Sequence, residues 1–194
     1  MASTTTTPTK RVPRQRWPFR REPKQDALPA GIRPRRPRDI GSCARLLRRA
    51  YFEGRFPEHG EQDPRDLLAG DDVLEAWVAE SEGEIVGHVA LSTLDHASTY
   101  RWREVTGHDP DDLVAVSCLF VRPRSRGVGI GATLLGVAAS AVWAEGRIPV
   151  IEVVSESPQV PALYGESGWR LRATDPRPGK PSGLWLHRFE GPRR

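Results

Sequence analysis

The sequence predicts an α/β protein, with one mixed sheet flanked by helices over residues 31–191, behind a basic, Pro-rich extension of residues 1–30. Three observations carry that reading. Segments follow one another in the order β-α-β-β-β-α-β-α-β-β. Residues 113–121 form an almost unbroken apolar run, LVAVSCLFV, as a strand covered on both faces requires. A glycine-punctuated turn then joins that run to a long apolar helix. The composition agrees: 38% of the 194 residues are hydrophobic and 18 are Gly, which excludes collagen-like, coiled-coil and wholly disordered classes. No stretch approaches the ~18 apolar residues that cross a bilayer, so no membrane partner is expected.

Charge divides the chain in two. Residues 1–38 contain 11 Lys/Arg and 2 Asp/Glu, with seven of the 18 prolines, whereas residues 39–194 contain 18 and 23. The basic excess therefore belongs to the extension and not to the body. Residues 1–30 carry too little apolar surface to offset the entropy of ordering them, so they are expected to be disordered. They also hold no apolar core of a secretory signal. Only Cys43 and Cys118 are present, without a CxxC pair, so no metal site is indicated and the cytoplasm is the expected compartment. With an acidic body, a nucleic-acid partner is disfavoured.

Residues 32–36 read as a short first strand. Asp39 then caps an amphipathic helix whose Ile40, Cys43, Leu46, Leu47 and Ala50 recur at helical spacing. Residues 53–72 are polar and loop-like, with a helical turn expected over 64–69. Residues 73–80 and 84–94 form a hairpin about the Ser81-Glu82-Gly83 turn. Residues 95–112 are expected to be a polar loop, followed by the covered strand 113–121, a helix over 128–145 and a second buried strand over 148–154. Ser157 and Pro158 open a late helix that Gly168 stops, and residues 169–173 and 184–189 complete the sheet.

The chemistry-bearing stretch is LFVRPRSRGVGIGATLL, residues 119–135. A buried strand ends, three arginines follow, and glycines occupy the start of a helix. Glycine removes the Cβ that would hold a ligand off the backbone, and a helix N-terminus offers unpaired N–H groups and partial positive charge. Together these make a phosphate or pyrophosphate site, to which Arg122, Arg124 and Arg126 add charge. The GxxxxGK[ST] pattern fails for want of a lysine, and the GxGxxG pattern fails on spacing. A third pattern, Arg/Gln-x-x-Gly-x-Gly/Ala, is met by Arg126-Gly127-Val128-Gly129-Ile130-Gly131.

That stretch, together with IRPRRPRDI, AWVAESEGEIVGHVAL and LYGESGW, resembles the GCN5-related N-acetyltransferase (GNAT) family over about residues 31–190. The resemblance implies a mostly antiparallel sheet with a V-shaped splay between the fourth and fifth strands. It implies acetyl-CoA as co-substrate, held by the backbone of Arg126, Gly127, Val128, Gly129, Ile130, Gly131 and Ala132. The end of the central strand, Leu119, Phe120 and Val121, would accompany the pantetheine arm, and Tyr164 would protonate the departing thiolate. The acceptor it implies is an amine, of a small molecule first and of a peptide or protein second; a homodimer is compatible with the family. A non-catalytic acyl-CoA-binding module and a nucleic-acid-binding protein are the remaining alternatives.

Two positions depart from the family pattern. Ser157 stands where many members have Asn, and Pro161 removes an early helix hydrogen bond three residues before Tyr164. The central strand also lacks a carboxylate. The base candidates are Glu152 on the next strand, His88, Asp95, His96 and Glu53. Cys118 has no nameable activating partner for a nucleophilic role. The acidic segments 51–70 and 95–112 are compatible with a cationic acceptor.

Overall fold

The computed structural model describes residues 31–52, 63–156, 162–177 and 183–192. The extension, Glu53, Ser157 and Pro161 lie outside the described residues. Among the described residues seven strands form one sheet in the order β1-β2-β3-β4-β5-β7-β6. They are β1 (Ile32–Pro34), β2 (Val73–Ser81), β3 (Glu84–Ser92), β4 (Leu113–Val121), β5 (Ile148–Ser155), β6 (Arg170–Pro176) and β7 (Trp185–Glu190). All neighbours are antiparallel except β4 and β5.

Helices cover both faces. On one lie α4 (Ile130–Ala144) and α5 (Ala162–Glu166). There Leu134, Leu135, Ala138, Ala139 and Val142 of α4 join Trp77, Val89, Leu91, Val116 and Ile151 of the sheet in the largest buried cluster. On the other lie α1 (Ile40–Phe52), α2 (Pro64–Ala69) and α3 (His96–Thr106). Cys43, Leu46 and Leu47 of α1 pack with Leu68, Val78 and Phe120, and Trp102 of α3 packs with Leu113 and Val150. Gly87 on β3 lets α4 settle onto the sheet: a Cβ there would stand 2.9 Å from Leu134 Cδ1 and 3.3 Å from Ile130 Cγ2.

One segment differs from the sequence expectation. Residues 96–106 are helical and not a polar loop. Asp95 caps α3, its Oδ1 accepting from the Ser98 N–H at 2.6 Å. Gly107 ends it at φ 74° with its N–H on the Arg103 carbonyl. The helix buries little beyond Trp102 and Ser98, so its apolar periodicity is too weak to announce it. The helix after β4 also begins at Ile130, two residues later than expected, because Gly127 and Gly129 take left-handed conformations, φ 80° and 86°.

Candidate active site

The site is built where β4 and β5 part. Their parallel pairing covers only Leu113–Ala115 against Ile148–Val150, after which no register joins them. Six residues of β4 and five of β5 continue beyond that point, so a slot opens toward the C-terminal ends of both strands. The Arg122 N–H donates to the Val86 carbonyl of β3 at 2.7 Å. Alternation along a strand then turns the main-chain groups of Leu119 and Val121 away from β3 and toward the slot.

A β-bulge shapes this stretch of β4. His88 pairs with Phe120 while Ala90 pairs with Ser117, so β4 carries one residue more than β3, and Cys118 adopts φ 48°. Such a left-handed non-Gly residue costs roughly 1–2 kcal/mol and persists only where its surroundings hold it. His88 supplies the hold. Its Nδ1–H donates to the Cys118 carbonyl at 2.9 Å, its Nε2 lies 3.1 Å from Arg35 Nη1 and accepts from it, and its ring stacks on Phe120. Arg35 also donates to the Leu68 carbonyl. With both nitrogens engaged and the ring fully buried, burial pushes the His88 pKa down to about 4. It is a neutral structural group and is not placed to act as a base. Burial likewise pushes the Cys43 and Cys118 thiols up to about 11, which keeps them protonated and unreactive.

The glycine turn leads from β4 into α4. Among the described residues nothing lies within 4 Å of where a Cβ on Gly127 or Gly129 would stand, so this backbone is open to a ligand. Among the described residues no side chain caps α4, and the first N–H bonded back to the turn is that of Thr133, on the Gly129 carbonyl at 2.9 Å. The N–H groups of Ile130, Gly131 and Ala132 therefore precede the helix ladder and suit an anion. The arginines contribute less than the sequence suggests. Arg122 turns to the hairpin, donating to Glu84 Oε2 at 2.8 Å and the Ile85 carbonyl, and Arg126 Nε returns to the Val121 carbonyl at 3.1 Å. Arg124 alone of the three is exposed.

Tyr164 lies in α5 and stacks on Phe189, ring centroids 4.8 Å apart. It shares the apolar cluster of Val116, Val121 and Ile151, against which Leu119 and Val153 pack, and so belongs to the α4 side of the slot. Burial pushes its pKa up to about 12. Glu152 follows the last β5 residue paired with β4 by two positions and shares the sheet face of Val150. Its Oε1 accepts from Arg188 Nε at 2.8 Å. Burial raises its pKa against the pull of Arg188, and the nearby Asp95 raises it further.

Sequence reasoning missed the network that holds Glu152. Arg188 Nη1 donates to Asp175 Oδ2 at 2.6 Å, and Arg101 Nη2 donates to Asp175 Oδ1 at 2.9 Å while its Nη1 reaches Glu104 Oε2 at 2.7 Å. The ladder thus ties α3, β6, β7 and β5 together. Among the other base candidates, Asp95 is spent as the α3 cap and His96 is exposed at the first turn of that helix. Ser92 Oγ and Ser117 Oγ share a 2.6 Å hydrogen bond between β3 and β4. Among the described residues no group of three His, Cys, Asp or Glu could hold a metal ion, and no helix is long and apolar enough to cross a membrane.

Comparison with known proteins follows the same lines. Residues 42–169 match the acetyltransferase (GNAT) family. No curated protein matches the sequence. Among solved structures, the ribosomal-protein-alanine N-acetyltransferase from Brucella melitensis superposes with a TM-score of 0.64 at 20% identity, over 84% of this chain and 99% of that one. A putative acetyltransferase from Salmonella typhimurium, solved with its cofactor acetyl-CoA, gives 0.63 at 19% identity over 82% and 91%. An N-acetyltransferase from Staphylococcus aureus Mu50 gives 0.61 at 18% over 82% and 95%. At these identities the structures speak for the fold, while the sequence match speaks for the family: the chain belongs to the acetyltransferase (GNAT) family of acyltransferases.

Proposed function

We propose that the protein is an acetyl-CoA-dependent N-acetyltransferase that moves an acetyl group onto the primary amine of a small molecule by direct attack. The observation that carries this reading is the slot, which opens between β4 and β5 at the end where β4 runs into the uncapped N-terminus of α4. Acetyl-CoA suits that arrangement, since a thiol-bearing arm fits between parted strands and a pyrophosphate fits free N–H groups beside open glycines. Bound there, it supplies an acetyl thioester.

The backbone from Arg126 to Ala132 holds the pyrophosphate. Leu119, Phe120 and Val121 supply the strand along which the arm lies, with the slot-facing main chain of Leu119 and Val121 pairing with it. Backbone N–H groups of the bulged strand donate to the thioester oxygen as charge develops on it. Glu152, oriented by Arg188, takes a proton from the incoming ammonium. Tyr164, held protonated by burial, gives its hydroxyl proton to the departing sulfur. Holding both substrates in one slot removes much of the entropic part of the barrier. The acceptor is cationic in this reading, because Glu152 lies where the negative charge of Asp95 adds to its own.

Residues 31–191 form the catalytic domain in this reading, and residues 1–30 stand outside it. The test is an amine panel offered with acetyl-CoA and read by mass spectrometry, containing small amines, lysyl peptides and peptides with free N-termini. Acetylation of a small amine with release of free thiol is expected, slowed ~100-fold or more by Tyr164→Phe and by Glu152→Gln. Modification of peptides alone would move the acceptor to the protein class. A panel that stays unmodified throughout would reject the reading.

A further inference from the structure

A cleft of about 480 Å³ lies between the start of α1, the β2–β3 turn and the end of β4. Six arginines line it, Arg33, Arg36, Arg38, Arg45, Arg49 and Arg122, against three carboxylates, so its walls carry three positive charges in excess. Two of the six take up all three carboxylates. Arg33 binds Asp39 at 2.6 Å and Glu80 at 2.7 Å, and Arg122 binds Glu84 at 2.8 Å. Arg36, Arg38, Arg45 and Arg49 are exposed, and none forms an ion pair among the described residues. Ser42, Arg45 and Arg49 recur at three- and four-residue spacing and make one edge of α1. Arg45 Nη2 donates to Ser42 Oγ at 2.9 Å, which draws its guanidinium toward the start of the helix. Arg45 and Arg49 stand ~6 Å apart along the axis, four residues at the helical rise, where like charges repel and a bound anion relieves the repulsion.

We infer that this cleft binds the phosphate chain of a small polyphosphate, inorganic or the tail of a nucleotide, through the phosphate groups alone. A planar guanidinium meets phosphate oxygens with two parallel N–H donors, and a polyphosphate carries enough charge to offset several arginines at once. The four exposed arginines are spread over the connection from β1 to α1 and two turns of α1, which suits consecutive phosphate groups better than a single one. The cleft falls within the roughly 300–1,000 Å³ of small-molecule sites, and so suits a ligand of that size. Among the lining residues Leu46 and Ile85 are the only large apolar side chains and none is aromatic, so nothing there stacks a base. Of residues 119–132 only Arg122 lines the cleft, which makes it a different place from the glycine turn. The inference does not depend on acetyl transfer.

Isothermal titration of the full chain with inorganic tripolyphosphate tests it. The triple variant Arg38→Gln, Arg45→Gln, Arg49→Gln should bind about tenfold more weakly than the unmodified protein, as the loss of charge-assisted hydrogen bonds requires. The corresponding triple Lys variant keeps the charge and should retain binding within about threefold, which separates removal of charge from failure to fold. Adenosine triphosphate should bind within about threefold of tripolyphosphate, and inorganic phosphate about tenfold more weakly, if consecutive phosphates are what the arginines hold. Equal binding by the unmodified and triple Gln proteins would overturn the inference. So would inorganic phosphate that binds as tightly as tripolyphosphate, which would leave a site for single anions only. A strong preference for the nucleotide would contradict recognition through phosphate alone. Repeated with saturating acetyl-CoA present, the difference between the unmodified and triple Gln proteins should persist. Its disappearance would assign the arginines to the coenzyme instead.

Discussion

Burial favours the neutral form of both Glu152 and Tyr164, and the consequences differ. In the proposed reaction it lifts the carboxyl that takes the amine's proton, and it keeps the phenol that would serve as acid protonated well above neutrality. His88 shows a third consequence. Its folded pKa of about 4 lies below the ordinary 6.5, so the unfolded chain takes up a proton that the folded protein refuses. Stability from this group is complete above pH 6.5 and is lost as pH falls from 6.5 toward 4, by about 3 kcal/mol in all. Urea unfolding at pH 7 and pH 4.5 should therefore show a steeper loss for the unmodified protein than for His88→Leu. Equal losses would mean that burial does not hold the ring neutral in the folded protein. No sequence pattern reveals His88 in this role, because its partners lie 53 and 30 positions away. The same holds for Glu152, which becomes oriented only when β7 brings Arg188 beside it.

Among the elements, β4 and the helix that follows were the most legible. The run LVAVSCLFV marks a strand with both faces covered, and the glycines mark the helix entry. The point at which β4 leaves β5 is invisible in that run, since the residues after Ala115 are as apolar as those before it. The splay enters the sequence reading through family resemblance alone. Helix α3 was missed because Trp102 is nearly its only buried apolar side chain, although Asp95 and Gly107 stand where a cap and a stop belong. Gly87 fixes the seat of α4, and with it the position of the glycine turn proposed to hold the pyrophosphate. Gly87→Val should overpack the contact with Leu134 and Ile130, lowering stability by ~1–3 kcal/mol and weakening acetyl-CoA binding in the same variant. Thermal unfolding and a binding titration together check this. A variant that lost stability while binding normally would show that the helix seat does not control the turn.

For the whole molecule, net charge is the coarsest guide. The value of +4 arises from a basic extension and a mildly acidic body, and within the described residues six arginines line the cleft beside α1 while Arg188 and Arg101 join carboxylates of β5, β6 and α3. The order of the sheet, the parted β4–β5 pair and the uncapped α4 make one arrangement, and the proposed function assigns it a single acetyl-CoA site. Isothermal titration of the purified full chain with acetyl-CoA measures that directly. One equivalent bound, with a rise in unfolding free energy of about 2.7 kcal/mol at a hundredfold excess over Kd, is the predicted result. A titration with no binding heat and no shift in unfolding would contradict it.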